Sequence, residues 1–303
     1  MLPVADAPIL AYVLALLRGH GVTEVCVNLH HHAEQIRAAL EGKVQGVALT
    51  FSEEPVILGT GGALKKMGDW LTRGGKDNFL VMNGKLITNI DLSKLMQEHE
   101  ARRPLATLVV REVADAQRWG AIDVAEDGRV TDILGAGRHM FTGVHVVSPA
   151  LVGRLPEGVS CSIRQGYLPA LREEPVGKNV IYSHLYKGYF QEHSTPARYL
   201  EGNFAVVRGE AQLDFPPAPT SGVAPTAKIA RDVRLVGAYL LSANAIVEAG
   251  ATIGPDAIVG AGARVAADVQ ISRVVVWPGA VVDKSITDAI VTPRGVHPVE
   301  GNA

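Results

Sequence analysis

Counted in sixes from Val223, the chain places Val223, Ile229, Leu235, Leu241, Val247, Ile253, Val259, Val265 and Ile271, and every one is a branched aliphatic. A period of six fits neither the 3.6-residue turn of a helix nor the two-residue alternation of a half-buried strand. It fits a coil of three short sides, each a strand followed by a turn. One aliphatic per side points inward and stacks on its counterpart in the next coil. Small residues recur two places earlier at Ala227, Ala245, Ala251, Ala257 and Ala263, where the chain has to bend, and Gly254, Gly260 and Ala266 follow their aliphatics directly. Nine sides at three per coil predict about three coils. Beyond Ile271 the register loosens through Val274–Trp277 and Val281–Val282, as expected of an atypical last coil or cap.

Ahead of the repeat, Gly209 to Gly222 carries the run Phe215-Pro216-Pro217-Ala218-Pro219. Such a run continues neither a helix nor a central strand and reads as a linker. Before it, helical and strand patterns alternate. Helices are expected over Ile9–Leu17, Ala33–Leu40, Gly61–Met67 and Leu92–Glu100, with strands over Thr23–Asn28, Val47–Phe51, Asn78–Met82 and Leu105–Arg111. That spacing predicts βαβ units and a largely parallel sheet, with ligands bound at the carboxyl ends of strands. Phe51–Gly62 and Asn83–Ile87 fall there. The expected division is an α/β domain over 1–207, a linker over 208–222 and the repeat over 223–303.

Composition narrows the partners. Hydrophobic residues make up 47% and charged residues 20%, with a net charge of −2, so nothing points to nucleic acid or an anionic membrane surface. Cys26 and Cys161 fit no metal or disulfide spacing. Met1–Asp6 lacks a basic leader and no apolar run is long enough to span a bilayer, so the expected location is cytoplasmic.

The segments Leu2-Pro3-Val4-Ala5-Asp6-Ala7-Pro8-Ile9, Gly21-Val22-Thr23-Glu24-Val25, Glu54-Pro55 with Leu58-Gly59-Thr60-Gly61-Gly62, Val81-Met82-Asn83-Gly84, Trp119-Gly120-Ala121, Phe141-Thr142-Gly143-Val144 and Thr195-Pro196-Ala197-Arg198 stand out as motifs. Together they resemble the nucleoside-diphosphate-sugar pyrophosphorylases, also called sugar-1-phosphate nucleotidyltransferases, and within them the mannose-1-phosphate guanylyltransferase-like proteins. The resemblance implies a Rossmann-like nucleotidyltransferase domain followed by a left-handed parallel β-helix. It implies attack of a sugar-1-phosphate on the α-phosphate of a nucleoside triphosphate, releasing pyrophosphate, with Mg²⁺ as cofactor. Carried over residue by residue, it places the nucleotide against Glu54, Gly59, Thr60, Gly61, Gly62, Asn83 and Gly84, and the sugar against the backbone at Gly120, Gly143 and Val144. His30-His31-His32 falls beside the ligand cleft without binding metal.

The sequence departs from the family pattern in three places. The first strand and its Gly-rich phosphate loop are not found ahead of Leu2. The metal-binding Asn-Gly-Asp position reads Asn83-Gly84-Lys85, and the second metal carboxylate position reads Glu192. An ammonium has no lone pair for a metal, so Lys85 is expected to contact phosphate instead, while Glu192 keeps a carboxylate able to ligate Mg²⁺. These departures argue against robust catalysis. They set beside the family reaction a second reading, a non-catalytic sugar-nucleotide-binding subunit that joins an active paralogue. The expected partners are a nucleotide sugar, or a nucleoside triphosphate and a sugar-1-phosphate, together with further copies of this chain or a paralogue. A hexapeptide acyltransferase is the remaining alternative, distinguished by binding of acyl-coenzyme A.

Overall fold

The computed structural model describes residues 2–40, 46–173 and 180–300; Met1, where the leader reading starts, lies outside the described residues. Chain contacts divide the protein into two compact units. One comprises Met1–Gly19, Gly84–Asn89 and Tyr189–Ala303, and the other His20–Asn83 and Ile90–Gly188. Among the described residues, no helix is long and apolar enough to cross a membrane.

The unit of His20–Asn83 and Ile90–Gly188 follows the expected alternation closely. Helices run over Ala33–Leu40, Gly59–Lys66 and Leu92–Arg102, and strands over Glu24–Leu29, Ala48–Glu53, Phe79–Met82 and Ala106–Glu112. Asp91 starts the third helix by accepting a hydrogen bond from the Lys94 backbone N–H at 2.9 Å.

The main sheet of this unit is mixed, where the alternation alone predicts mostly parallel pairing. The long strand His139–Val147 runs antiparallel both to Phe79–Met82 and to Ala106–Glu112, and only Ile181–Leu185 joins Ala106–Glu112 in parallel. The cause lies in the connection. A parallel return needs a long crossover, usually a helix. Between Glu112 and His139 the chain instead forms one turn of 3₁₀ helix and the antiparallel pair Ile122–Val124 and Val130–Ile133. Glu24–Leu29 and Ala48–Glu53 form a separate parallel pair, aligned from Glu24 opposite Ala48 to Leu29 opposite Glu53. Leu105, Leu108, Val110, Ile122, Val147, Leu151 and Tyr167 fill the core.

In the other unit, strands from Gly222 onward pair in parallel with strict spacing. Gly222 lies opposite Leu240, Lys228 opposite Ile246, Arg234 opposite Thr252, Tyr239 opposite Ala257 and Ile246 opposite Arg264. Each partner is three hexads further along the chain, so three successive sides bring the backbone back beneath itself. Leu241, Val247, Ile253, Val259, Val265 and Ile271 are all buried in one cluster with Ala245, Ala251, Ala257 and Ala263. Ile229 and Leu235 pack at its margin, but Val223 is 44% exposed because no earlier side covers it. Past Ile271 the spacing shortens. Ala257 faces Val274, Val274 faces Ala289, and an antiparallel hairpin of Ile286–Thr292 with Gly295–Pro298 ends the stack.

The helix Pro196–Val207 lies against this stack within the same unit. Thr195 caps it by accepting from the Arg198 N–H, and Pro196 occupies its first turn. Tyr199, Leu200, Phe204 and Val207 bury in one cluster with Leu240, Ile258, Val275 and Ile290, neighbours in sequence of residues that fill the interior of the stack. Successive strand residues face opposite sides, so one set of short strands serves two cores.

Candidate functional site

Two groups of expected site residues follow strand ends, each in its own unit. In the first, Glu54 comes directly after Ala48–Glu53 and is 4% exposed. Its carboxylate accepts from the Leu58 N–H at 3.0 Å and from the Asn28 amide at 3.2 Å, while its carbonyl shares a 2.6 Å hydrogen bond with the His30 ring. A buried carboxylate needs such partners. Glu54 therefore fixes the segment leading into the Gly-rich turn.

The turn itself packs on a segment that the sequence did not single out, Gly158–Ser162. The N–H groups of Gly61 and Gly62 both donate to the Ser160 carbonyl, at 2.9 and 3.3 Å, and the Thr60 hydroxyl accepts from the Ser162 N–H at 3.0 Å. A Cβ would stand 2.5 Å from the Ser160 oxygen at Gly59 and 2.1 Å from the Gly158 oxygen at Gly62. These glycines are thus required by a close approach of backbone to backbone. The contact joins positions about a hundred residues apart, so no local pattern marks Gly158–Ser162 as part of it.

Asn83 and Gly143 do meet. Asn83 ends the Phe79–Met82 strand, and its N–H donates to the Gly143 carbonyl at 3.2 Å. Gly143 has φ of +78° inside the irregularity between Phe141 and His145, and a Cβ there would lie 2.1 Å from the Asn83 amide nitrogen. Only glycine combines that backbone with that proximity. Val144 continues the strand opposite Met82 and is 1% exposed. Gly120 also has positive φ, and closes the single turn Ala116–Trp119 against Leu134.

Behind this strand, His145 and Tyr167 share a buried 2.5 Å hydrogen bond. Burial pushes the His145 imidazole down to about 3, and raises Tyr167. The pair is neutral and closes a polar gap in an apolar core.

The second group belongs to the other unit. Leu86–Thr88 pairs antiparallel with Phe190–Glu192, aligning Leu86 with Glu192, so the neighbouring Lys85 stands beside that carboxylate. The Lys85 ammonium forms an ion pair with one Glu192 oxygen, and the Arg198 guanidinium lies 3.5 Å from the other. Two hydrogen bonds fix the flanking backbone: the His193 N–H donates to the Lys85 carbonyl at 3.1 Å, and the Gln191 side-chain amide donates to the Arg198 carbonyl at 2.9 Å. Gly84 lies against Leu10. His193 is buried, and desolvation lowers its imidazole to about 4, against the smaller opposing effects of Lys85 and Glu192.

The Mg²⁺ implied by the resemblance does not fit these donors. Mg²⁺ is held through one or two carboxylates together with substrate phosphates. Here Lys85 stands at one carboxylate position, and Glu192 at the other is already neutralised from both sides by cations. Among the described residues, no group of three or more His, Cys, Asp or Glu is arranged to hold a metal.

Comparison with known proteins agrees with the architecture. Residues 1–134 match the family model described as nucleotidyl transferase. More particularly, the chain is similar to sugar-1-phosphate nucleotidyltransferases. It is 27% identical to the mannose-1-phosphate guanylyltransferase of Mycobacterium tuberculosis over 217 residues, covering 70% of this chain and 59% of that protein. It is 25% identical to the mannose-1-phosphate guanylyltransferase catalytic subunit beta of Drosophila pseudoobscura pseudoobscura, covering 76% of this chain and 64% of that one. The chain therefore spans less than two thirds of the length of these relatives. In fold it is similar to HddC from Yersinia pseudotuberculosis in the crystal structure complexed with GMP-PN. That likeness has a TM-score of 0.55 at 22% identity, covering 67% of this chain and 87% of that one.

Proposed function

We propose that the chain handles a sugar nucleotide as its relatives' names describe, in a reaction joining a nucleoside triphosphate and a sugar-1-phosphate. A phosphate oxygen of the sugar-1-phosphate attacks the α-phosphorus, the bond to the β-phosphate breaks, and pyrophosphate leaves. The observation that carries the reading is the Asn83–Gly143 contact, which joins two of the resemblance's motifs at a strand end with backbone that only glycine allows. On this reading the Glu54-anchored turn borders the nucleotide, and Gly120, Gly143 and Val144 border the sugar. The stretch 1–207 is the nucleotidyltransferase-like domain, 208–222 the linker and 223–303 a left-handed β-helix. Purified chain would be incubated with Mg²⁺, each common nucleoside triphosphate, and mannose-, glucose- or N-acetylhexosamine-1-phosphate. The catalytic reading expects release of pyrophosphate with at least one pair, and none with any pair sinks it.

The Lys85–Glu192 ion pair favours a second reading, in which the chain binds the sugar nucleotide without turning it over and assembles with an active paralogue through its repeat. The name of the Drosophila relative, a catalytic subunit, supports a multi-subunit setting for such proteins. Light scattering of the chain, alone and mixed with a paralogue, tests the assembly; a strictly monomeric chain that ignores the paralogue overturns it.

A further inference from the structure

We infer that this chain carries a built-in cation where a bound divalent metal would otherwise meet phosphate, so that it binds its phosphorylated ligand without Mg²⁺. The inference rests on the proposed ligand class only for the identity of the ligand; the charge arrangement stands by itself. Lys85, Glu192 and Arg198 form a row of cation, anion and cation. Its members are set by an antiparallel pair on one side and the first turn of a capped helix on the other. Glu192 is the most enclosed, at 17% side-chain exposure, while Lys85 stays half open at 50%. An enclosed carboxylate between two cations holds them in position, and the Lys85 ammonium has three N–H donors, more than one carboxylate oxygen uses.

A divalent cation entering this row would face Lys85 at close range with no carboxylate left unpaired. A phosphate would gain from Lys85, which is half exposed and keeps N–H donors beyond those Glu192 uses. The row is thus matched to a di- or monophosphate group and mismatched to a metal. Glu192, on this reading, is a positioning residue for Lys85.

The test is calorimetric titration of the full chain with GDP-mannose, UDP-glucose, ADP-glucose and dTDP-glucose, and separately with inorganic pyrophosphate, in EDTA. Pyrophosphate and at least one sugar nucleotide are expected to bind. Lys85→Ala should weaken binding about tenfold or more, the scale of one charge-assisted hydrogen bond in a partly enclosed site, and Lys85→Arg should restore most of it. Circular dichroism and thermal melting establish that each variant is folded. In a companion measurement, Mn²⁺ titrated under electron paramagnetic resonance should bind Lys85→Asp, which faces Glu192 with a second carboxylate, and not the parent chain. If pyrophosphate binds in this Lys85-dependent way and no sugar nucleotide does, the ligand class falls and the built-in cation stands. If neither probe binds in EDTA, if Lys85→Ala binds as the parent does, or if the parent holds Mn²⁺ as well as Lys85→Asp, the inference is overturned.

Discussion

Single residues here are constrained chiefly by how closely backbones approach. At Gly143 a methyl would meet the Asn83 amide at 2.1 Å from a left-handed backbone, so two penalties coincide. Gly143→Ala is expected to lower unfolding free energy by about 1–3 kcal/mol, read from the midpoint of urea denaturation. An equal midpoint would show that the strand end tolerates a shift. The His145–Tyr167 pair offers a different kind of constraint. Tyr167→Phe keeps the ring but removes the hydroxyl, leaving the His145 Nδ1 atom unpaired in the core. The expected cost is about 1–3 kcal/mol by the same measurement. The Gly-rich turn was legible as a turn, since Gly and Thr cluster after a strand. Its partner Ser160 was not, because a carbonyl oxygen that fits between glycines is available to any residue type.

At the scale of elements, the hexad spacing read from the sequence reappears as strand pairing. It was legible because one inward position per side admits only an aliphatic, so composition repeats with geometry. Ile253→Ala, fully buried, should cost about 2–4 kcal/mol by leaving a cavity. Val223→Ala, at the open end of the stack, should cost less than about 0.5 kcal/mol. Equal effects in denaturant unfolding would contradict the stacked interior. The antiparallel strand His139–Val147 was not legible, since helix–strand alternation stops informing once a hairpin replaces a crossover helix. Nor was the docking of Pro196–Val207 onto the stack. It depends on Leu240, Ile258, Val275 and Ile290, outward positions that the six-residue count passes over. Arg208 anchors the end of that helix through Asp256, whose side chain is only 10% exposed. Arg208→Ala strands that carboxylate and should cost about 2–4 kcal/mol in the same unfolding experiment. An Arg208→Ala, Asp256→Ala double variant should recover part of it.

For the whole molecule, three buried histidines set an acid limit. Burial lowers His99 and His193 to about 4 and His145 to about 3, from an ordinary value of 6.5. The unfolded chain then binds more protons than the folded one between those values, so stability rises with pH in that window. Stability from these groups is complete above about pH 6.5 and falls on acidification, by up to about 1.4 kcal/mol per pH unit for each histidine. Melting temperatures measured from pH 7 to pH 4.5 should decline, and His145→Gln should flatten the decline; an unchanged profile would remove His145 from the cause. The regular part of the stack from Gly222 to Ile271 has one more consequence, for how such a chain can change length. Because partners there lie three hexads apart, cutting out or duplicating eighteen residues returns every aliphatic to the inside, whereas a change of three residues turns the inner row outward. Shorter spacings begin with the partners that lie past Ile271, near the end of the stack, where few sides remain to be thrown out of step. The stack is therefore a ruler graduated in whole coils, and its reach can evolve by copying a segment without redesigning a core.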